Sequence, residues 1–214
     1  MGAVRSLSFL YVFVALPALA ADDGGWVMVV DGPLQVKNRP VEGTAIKEVW
    51  AEGELAAPVL DVQAALMDVE AARTYLPYVK DSRKLGARND DGSLNVYTLL
   101  DLPMVGKRDY IQRISFPEQL APDGSGTFRA AWVSQPNFTP RRADVVRVEN
   151  NTGSWVVTRI DANRCHATYR FTADPGGWIP PWVANLGNEK GVKETYDAVQ
   201  KEALRRAGER TRSR

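Results

Sequence analysis

The side chains that most often carry out acid–base or metal chemistry are scarce in this chain. Its 214 residues include one histidine, His166, and one cysteine, Cys165. Zinc sites take three or four cysteine, histidine or carboxylate ligands, so we expect no metal site and no other cofactor. A single cysteine also excludes an internal disulfide.

His166 is expected on the outside of a sheet. If Ala162 and Asn163 form a two-residue hairpin loop, Arg159 opposes His166 and both point away from the interior. A histidine in that position is a surface residue rather than a catalytic base. The drier face of these two strands, which we expect to face inward, carries Val156, Thr158, Ile160, Cys165, Ala167, Tyr169 and Phe171.

Two earlier strands are also expected to place polar side chains in the interior. Alternation gives the inward sets Tyr110, Gln112, Ile114 and Phe116, and Phe128, Ala130, Trp132 and Ser134. Gln112 and Ser134 are then polar positions in an otherwise apolar interior. No paired carboxylates face inward, which argues against acid–base catalysis there.

The elements that position these side chains are predicted mainly as strands. Three strands (26–30, 34–38 and 44–55) precede two short helices, which begin at Pro58 and Asp68. Seven strands follow between residues 78 and 172, joined by turn-rich segments such as residues 89–92 and 150–153. A long helix is predicted from Pro180 to about Ala207, with an apolar stripe formed by Val192, Tyr196, Val199 and Ala203. Short connections favour an antiparallel sheet, so we expect an α+β fold in which a curved sheet wraps around the terminal helix.

The N-terminus has the pattern of a secretory signal peptide. Arg5 precedes an apolar stretch of about a dozen residues, and Ala18-Leu19-Ala20 is a small-x-small cleavage site. A transmembrane helix needs about 20 apolar residues, and Asp22 ends the run before that length. We expect cleavage near Ala20 and export to a periplasm or to the extracellular space. The alternative is an uncleaved membrane anchor.

Charge excludes one class of partner. Arg5 is the only charged residue among residues 1–20, so the rest of the chain carries 26 basic and 26 acidic side chains. A neutral chain argues against nucleic acid as a partner. We expect a single domain over residues 21–207 and a monomer, followed by a basic, disordered tail at residues 208–214. Contact of this tail with anionic lipid headgroups is the alternative to a solvated terminus.

Three motifs follow one another along the chain: DLPMVGKRDY at residues 101–110, Val146-Arg147, and DPGGWIP at residues 174–180. Together they resemble the START family, the lipid-transfer domains related to the steroidogenic acute regulatory protein. The resemblance covers about residues 25–205. It implies a helix-grip fold, in which a curved antiparallel sheet closes on its C-terminal helix and leaves a tunnel that holds one lipid. The Arg108–Asp109 pair is then expected to be structural.

The resemblance implies an exported lipid-binding or lipid-transfer protein that touches membranes transiently. Its ligand would be sterol-like, a phospholipid or another lipid. Ile114 and Asn95 stand where sterol-binding members carry a buried charge pair, which puts sterol specificity in question and leaves an apolar, weakly polar tunnel. The candidate ligand-binding residues are Asn95, Tyr97, Gln112, Ile114, Trp132, Tyr169 and Tyr196.

A gate is expected between the loop at residues 102–107 and the terminal helix. The gate loop comprises Met104, Val105 and Gly106 together with Arg108, and Gly187 and Gly191 on the helix would let it approach closely. Alternatively, these glycines relieve crowding against the sheet. Two other functions stay open: an enzyme resembling polyketide cyclases and aromatases, and a ligand-free interaction module whose interior is filled by side chains.

Overall fold

Ten strands and three helices make up the described part of the chain. The computed structural model describes residues 24–44, 46–103, 105–177 and 190–213. The elements are β1 (Val27–Val30), β2 (Leu34–Pro40), β3 (Lys47–Leu55), α1 (Val59–Met67), α2 (Ala72–Tyr75), β4 (Val79–Lys84), β5 (Leu94–Leu102), β6 (Gly106–Glu118), β7 (Thr127–Ser134), β8 (Val146–Arg147), β9 (Asn150–Arg159), β10 (Cys165–Asp174) and α3 (Lys190–Arg212). The expected start of the terminal helix at Pro180 lies outside the described residues.

The strands form one sheet in the order β1-β2-β3-β10-β9-β7-β6-β5-β4. Every neighbouring pair on this path is antiparallel. The short strand β8 lies off the path and pairs in parallel with β6. The prediction of a large curved antiparallel sheet with a long C-terminal helix is confirmed.

The β9–β10 hairpin differs from the prediction by one residue of register. Ile160 donates its N–H to the carbonyl of Arg164, so the loop has three residues, of which Asp161 is the first. The Asp161 carboxylate accepts from the Asn163 N–H at 2.9 Å, which favours this longer turn. Because side chains alternate with a period of two, the slip exchanges the two faces of β9.

The exchange corrects the predicted interior of β9. Trp155 and Val157 are buried in the core, whereas Ile160 is exposed and Val156 and Thr158 are half-buried. The inward set of β10 was assigned correctly, because Cys165 and Ala167 are fully buried. His166 lies on the exposed face as predicted, although it opposes Thr158 and not Arg159.

Helix α3 packs its apolar stripe onto the sheet as predicted. Val192, Tyr196, Val199 and Ala203 are at most 3% exposed. The Tyr196 hydroxyl lies 3.0 Å from the carbonyl oxygen of Ala51 and 2.9 Å from that of Ala167, and donates its proton to this pair. One side chain thus joins the helix to β3 and β10. Among the described residues, no helix is both long and apolar enough to cross a membrane.

The C-terminal end of α3 is bound to α1 by ion pairs. Arg206 contacts Asp68 at 2.8 Å, and Arg210 contacts the buried Asp61 at 2.6 Å. The helix continues to Arg212, so residues 208–212 are helical and not disordered as predicted. The helix extends further because α1 supplies acidic partners that sequence spacing does not reveal.

A buried ion pair joins β6 to β8. Arg147 on β8 donates Nε to Asp109 Oδ1 at 2.7 Å and Nη2 to Oδ2 at 3.1 Å, with both side chains 1% exposed. Arg147 Nη1 also donates to the carbonyl of Pro136 at 2.6 Å. The predicted structural role belongs to Asp109 with Arg147, which together fasten residues 136–140 against β6.

Candidate ligand-binding cavity

A cavity of about 150 Å³ lies between the inner face of the sheet and the helices. Strands β4, β5, β6, β7, β9 and β10 form one wall, and residues from α1, α2, their connection and α3 form the other. Among the described residues that line the cavity, only Asp68, in the α1–α2 connection, is exposed. The position of the cavity matches the tunnel expected between the sheet and the C-terminal helix.

Stacked aromatic rings form much of the sheet wall. Trp155 and Tyr169 stack with centroids 4.3 Å apart, and Trp132 lies 6.0 Å from Tyr169. Tyr196 contacts the Trp155 ring at 5.1 Å and supports it from α3. Gly153 makes this wall possible, because a Cβ there would lie 2.5 Å from the Trp132 ring and would also meet the carbonyl of Arg170.

A small polar group interrupts the aromatic wall. Gln112 on β6 donates Nε2 to the backbone carbonyl of Asn151 at 3.2 Å. Trp132 donates its indole N–H to Asn151 Oδ1 at 3.2 Å. Ser134 donates its hydroxyl to the Asn151 carbonyl at 3.1 Å and accepts from the Asn151 N–H at 2.5 Å. Asn151 is therefore the centre of a network that holds Gln112 and Trp132 at the cavity wall.

The hydroxyl groups that line the cavity are uncharged. Burial raises the pKa values of Tyr75 and Tyr169 above their usual range. Burial also raises the pKa of Tyr110, against a hydrogen bond from Thr98 that lowers it. Tyr75 donates its hydroxyl to the Ala65 carbonyl at 3.0 Å. These tyrosines can donate hydrogen bonds but do not ionise at neutral pH.

The described lining of the cavity carries a charged side chain at one position only, at its exposed edge. Among the described residues that line the cavity, Asp68 is the only carboxylate, and Arg206 occupies it at 2.8 Å. The hydrogen bond from Arg206 holds the pKa of Asp68 below its usual value. This carboxylate is already engaged in joining α1 to α3. It points to a structural role and not to proton transfer.

Four of the seven predicted ligand-binding residues line the cavity: Gln112, Ile114, Trp132 and Tyr169. Tyr196 does not, because it lies behind Trp155 with its hydroxyl on the sheet backbone. Asn95 and Tyr97 do not line it either. Their neighbours Val96 and Thr98 do, which places Asn95 and Tyr97 on the opposite face of β5.

The two misplaced β5 residues have other contacts. Asn95 donates Nδ2 to Asn89 Oδ1 at 3.2 Å, and the Arg83 guanidinium lies over the Tyr97 ring at 4.3 Å. Strand β5 is buried on both faces at residues 94–98, so its sequence shows no alternation from which to choose the inner face.

The central cavity residue, Asn151, was missed because residues 150–153 read as a turn. They instead continue β9 and pair with residues 171–174 of β10. The alternation of side chains along β9 could have identified it. With Trp155 facing inward, Gly153 and Asn151 face inward as well. A three-residue loop beginning at Asp161 would have given the correct register of β9, and with it the inward position of Asn151.

The gate loop is only partly described. Arg108 is buried and donates Nη1 to the carbonyls of Val105 and Gly106, which fixes the β5–β6 turn. Burial lowers the pKa of Arg108. Met104 and Gly187 lie outside the described residues. Val105, Gly106 and Arg108 are not among the described residues that line the cavity.

Tyr78 connects the end of β5, next to this turn, to α3. Its backbone carbonyl accepts from the N–H of Asp101 at 2.9 Å, and its hydroxyl donates to Glu194 at 3.3 Å. Tyr78 has a positive φ of 62°, an uncommon conformation for a non-glycine residue. Leu76 and Val79 on either side of it line the cavity, as does Thr195 beside Glu194.

A curved antiparallel sheet that grips a C-terminal helix around an apolar, aromatic cavity defines the helix-grip class of ligand-binding folds. Among the described residues, no cluster of three or more histidine, cysteine or carboxylate side chains could hold a metal.

Comparisons with known proteins narrow the class to one family. The START domain family's sequence profile matches residues 11–209. The rat (Rattus norvegicus) phosphatidylcholine transfer protein is 26% identical over 184 residues, covering 82% of this chain and 81% of its own. A STAR-related lipid transfer protein from Xanthomonas axonopodis is 30% identical with a TM-score of 0.70, covering 84% of this chain and 99% of that structure. An uncharacterized protein of Pseudomonas aeruginosa, PA1579, is 26% identical over 174 residues, covering 80% of this chain and 82% of its own.

The chain belongs to the START domain family. The resemblance inferred from residues 101–110, Val146-Arg147 and residues 174–180 is confirmed by this match.

Proposed function

We propose that this protein binds one hydrophobic molecule between its sheet and α3 and transfers it between membranes. The observation that carries the proposal is the aromatic cavity with a small hydrogen-bonding group in its wall. Apolar surface gains about 25 cal/mol for each Å² removed from water, so a lipid that enters gains several kcal/mol. The amides of Gln112 and Asn151 would orient it. Relatives named as lipid-transfer proteins support this function.

The cavity volume implies that binding enlarges the site. A cavity of about 150 Å³ accommodates a molecule of roughly the size of benzene. A lipid with a long chain or several rings therefore has to displace α3 or the side chains that face it. We propose that α3 moves outward when such a lipid enters.

A binding role is favoured over the cyclase alternative by the chemistry of the wall. Catalysis on this scaffold requires an acid or base that faces the ligand. Within the described lining, the carboxylate of Asp68 is paired with Arg206, and the tyrosine hydroxyls stay protonated. Gln112 and Asn151 can orient a ligand but do not transfer protons at neutral pH.

The function is tested by filling the cavity. Ala130 lines the cavity, and its neighbour Ala131 on β7 points to the other face. We expect Ala130→Leu to lower the amount of lipid that is co-purified and detected by native mass spectrometry. Ala131→Leu is the matched control and should leave the load unchanged. Equal loading of both variants, at equal thermal stability, would contradict binding in this cavity.

We also propose that the ligand enters between the β5–β6 turn and α3. The contacts of Tyr78 support this route, since it joins the end of β5, next to the turn, to α3 beside the cavity lining. A variant with cysteines at Val105 and Gly191 can be tethered with a bis-maleimide whose spacer contains a disulfide. We expect slower uptake of a fluorescent lipid after tethering and recovery after reduction. The two single-cysteine variants, treated alike, are the controls, and unchanged rates in the tethered protein would place the entrance elsewhere.

Export is a separate proposal, supported by the pattern of residues 1–20. Protein purified from its native host is expected to begin at about Ala21 on N-terminal sequencing. An intact Met1 on the soluble protein would contradict it.

A further inference from the structure

The side-chain amides of Gln112 and Asn151 in the cavity wall are each oriented by a hydrogen bond within the protein. In each amide, one polar atom has no partner in the part of the chain that the structure describes. The indole N–H of Trp132 is only a donor, so the atom of Asn151 that it contacts is Oδ1, and Nδ2 points away from it. The Asn151 carbonyl is only an acceptor, so Gln112 presents Nε2 to it and keeps Oε1 as a spare acceptor. Neither spare atom has a hydrogen-bond partner among the described residues.

One spare atom is a donor and the other an acceptor, both on side chains that line the cavity, and a single hydroxyl group can satisfy the two together. A hydroxyl group donates its proton to Gln112 Oε1 and accepts from Asn151 Nδ2. An ether or ester accepts from Asn151 but leaves the Gln112 acceptor unsatisfied. An ionised carboxylate or phosphate brings only acceptors and places them against Gln112 Oε1.

Charge in the surroundings points in the same direction. The described residues that line the cavity include no lysine, arginine or histidine. Residues 178–189 and Met104, which lie outside the described ranges, contain none either. Arg108 lies on the same side of β6 as Gln112 but does not line the cavity. Its Nη1 donates to the carbonyls of the β5–β6 turn, and its Nε has no partner among the described residues. A buried anion without a cationic partner is strongly disfavoured.

We infer, on the basis of the proposed function, that the cavity selects an uncharged amphiphile ending in a hydroxyl group. The hydroxyl lies between Gln112 Oε1 and Asn151 Nδ2, and the apolar body contacts the rings of Trp132, Trp155 and Tyr169. Lipids with an anionic headgroup are excluded from this position.

Three probes with the same alkyl chain separate the possibilities: dodecanol, dodecyl methyl ether and dodecyl phosphate. Binding below their solubility and micelle-forming limits is measured by the change in tryptophan fluorescence, to which Trp132 and Trp155 contribute. We expect dodecanol to bind roughly five- to tenfold more tightly than the ether, the effect of one hydrogen bond. Dodecyl phosphate is expected to bind at least roughly tenfold more weakly than dodecanol.

A substitution then assigns the preference to one atom. Both the alcohol and the ether accept from Asn151, so their affinity ratio isolates the contact with Gln112 Oε1. In Gln112→Leu the ratio should fall to about one, because the acceptor is gone. The matched control is Gln35→Leu. Gln35 precedes the core residue Val36 on β2 and therefore points away from the core, so this variant should keep the wild-type ratio.

The outcomes distinguish this inference from the proposed function. If no probe binds the wild-type protein, the proposed function fails and the inference with it. If the probes bind without discrimination, or the phosphate binds as tightly as the alcohol, the lipid-binding function stands and hydroxyl selection is wrong. The wild-type comparison decides this even if Gln112→Leu does not fold.

Discussion

Tyr196 is the residue at which the helix and sheet are joined most directly. It is 3% exposed, and its hydroxyl lies against carbonyl oxygens of two neighbouring strands. Its ring packs on Trp155, which forms the cavity wall. Tyr196 therefore holds α3 against the sheet without lining the cavity.

We expect Tyr196→Phe to lower the free energy of unfolding by about 1–2 kcal/mol, because a buried hydrogen bond is lost while the ring is kept. Urea denaturation measures the change. Tyr78→Phe is the control, since Tyr78 is 37% exposed and its hydroxyl bonds a helix side chain. Similar losses in both variants would show that the Tyr196 hydroxyl has no special role.

The buried pair of Asp109 and Arg147 makes a stronger prediction at the same scale. Removing one partner leaves an uncompensated buried charge, so Arg147→Met should cost about 3–5 kcal/mol of unfolding free energy. Arg164→Met is the control, because Arg164 pairs with Glu54 and Asp161 at the surface and its loss should destabilise the protein far less. If denaturant midpoints show equal effects, the pair does not fasten residues 136–140 as inferred.

At the scale of elements, two carboxylates near the contact of α1 with α3 make the stability of the protein depend on pH. Glu202 is 4% exposed and accepts from both Arg205 and Arg206, and the hydrogen bond from Arg205 is the main reason that its pKa is lowered. Asp68 is paired with Arg206 in the same way. Both carboxylates release their protons more readily in the folded chain than in the unfolded chain.

Lowered carboxyl pKa values have a definite effect on stability. The contribution is complete above the unfolded values of 4.5 for Glu202 and 3.8 for Asp68, and is lost as pH falls through the lower folded values. We expect the free energy of unfolding to fall between about pH 5 and about pH 3, and the difference between wild type and Glu202→Gln to shrink over this range. Glu209→Gln, which removes an exposed partner of Arg205, is the control. A constant difference between wild type and Glu202→Gln would contradict the assignment.

At the scale of the whole molecule, the order of elements could be predicted because it depends on local patterns. Turn residues mark the strand ends, and the stripe from Val192 to Ala203 identifies the helix face. Details that depend on tertiary contacts were not predictable. The β9–β10 register depends on the number of loop residues, which was one larger than predicted. Strand β5 has two buried faces, so Asn95 and Tyr97 were assigned to the wrong side.

The candidate site shows the same division. Gln112, Ile114, Trp132 and Tyr169 were found because alternation on β6, β7 and β10 was clear. Asn151 was not, because its two neighbours resemble a turn. The cavity volume depends on how the side chains of several strands and helices pack together, and no local pattern carries that information.

Cys165 has a practical consequence for work with this protein. It is fully buried, its sulfur lies 3.9 Å from the Leu55 carbonyl, and burial raises the pKa of the thiol to about 12. Since the thiolate is the nucleophile, the native chain is almost inert to thiol-directed dyes and spin labels at neutral pH. Reporter cysteines placed on the surface, one on α3 and one on the sheet, become the sites of modification, without prior removal of Cys165. Distances between α3 and the sheet can therefore be followed spectroscopically on a chain whose native core is intact.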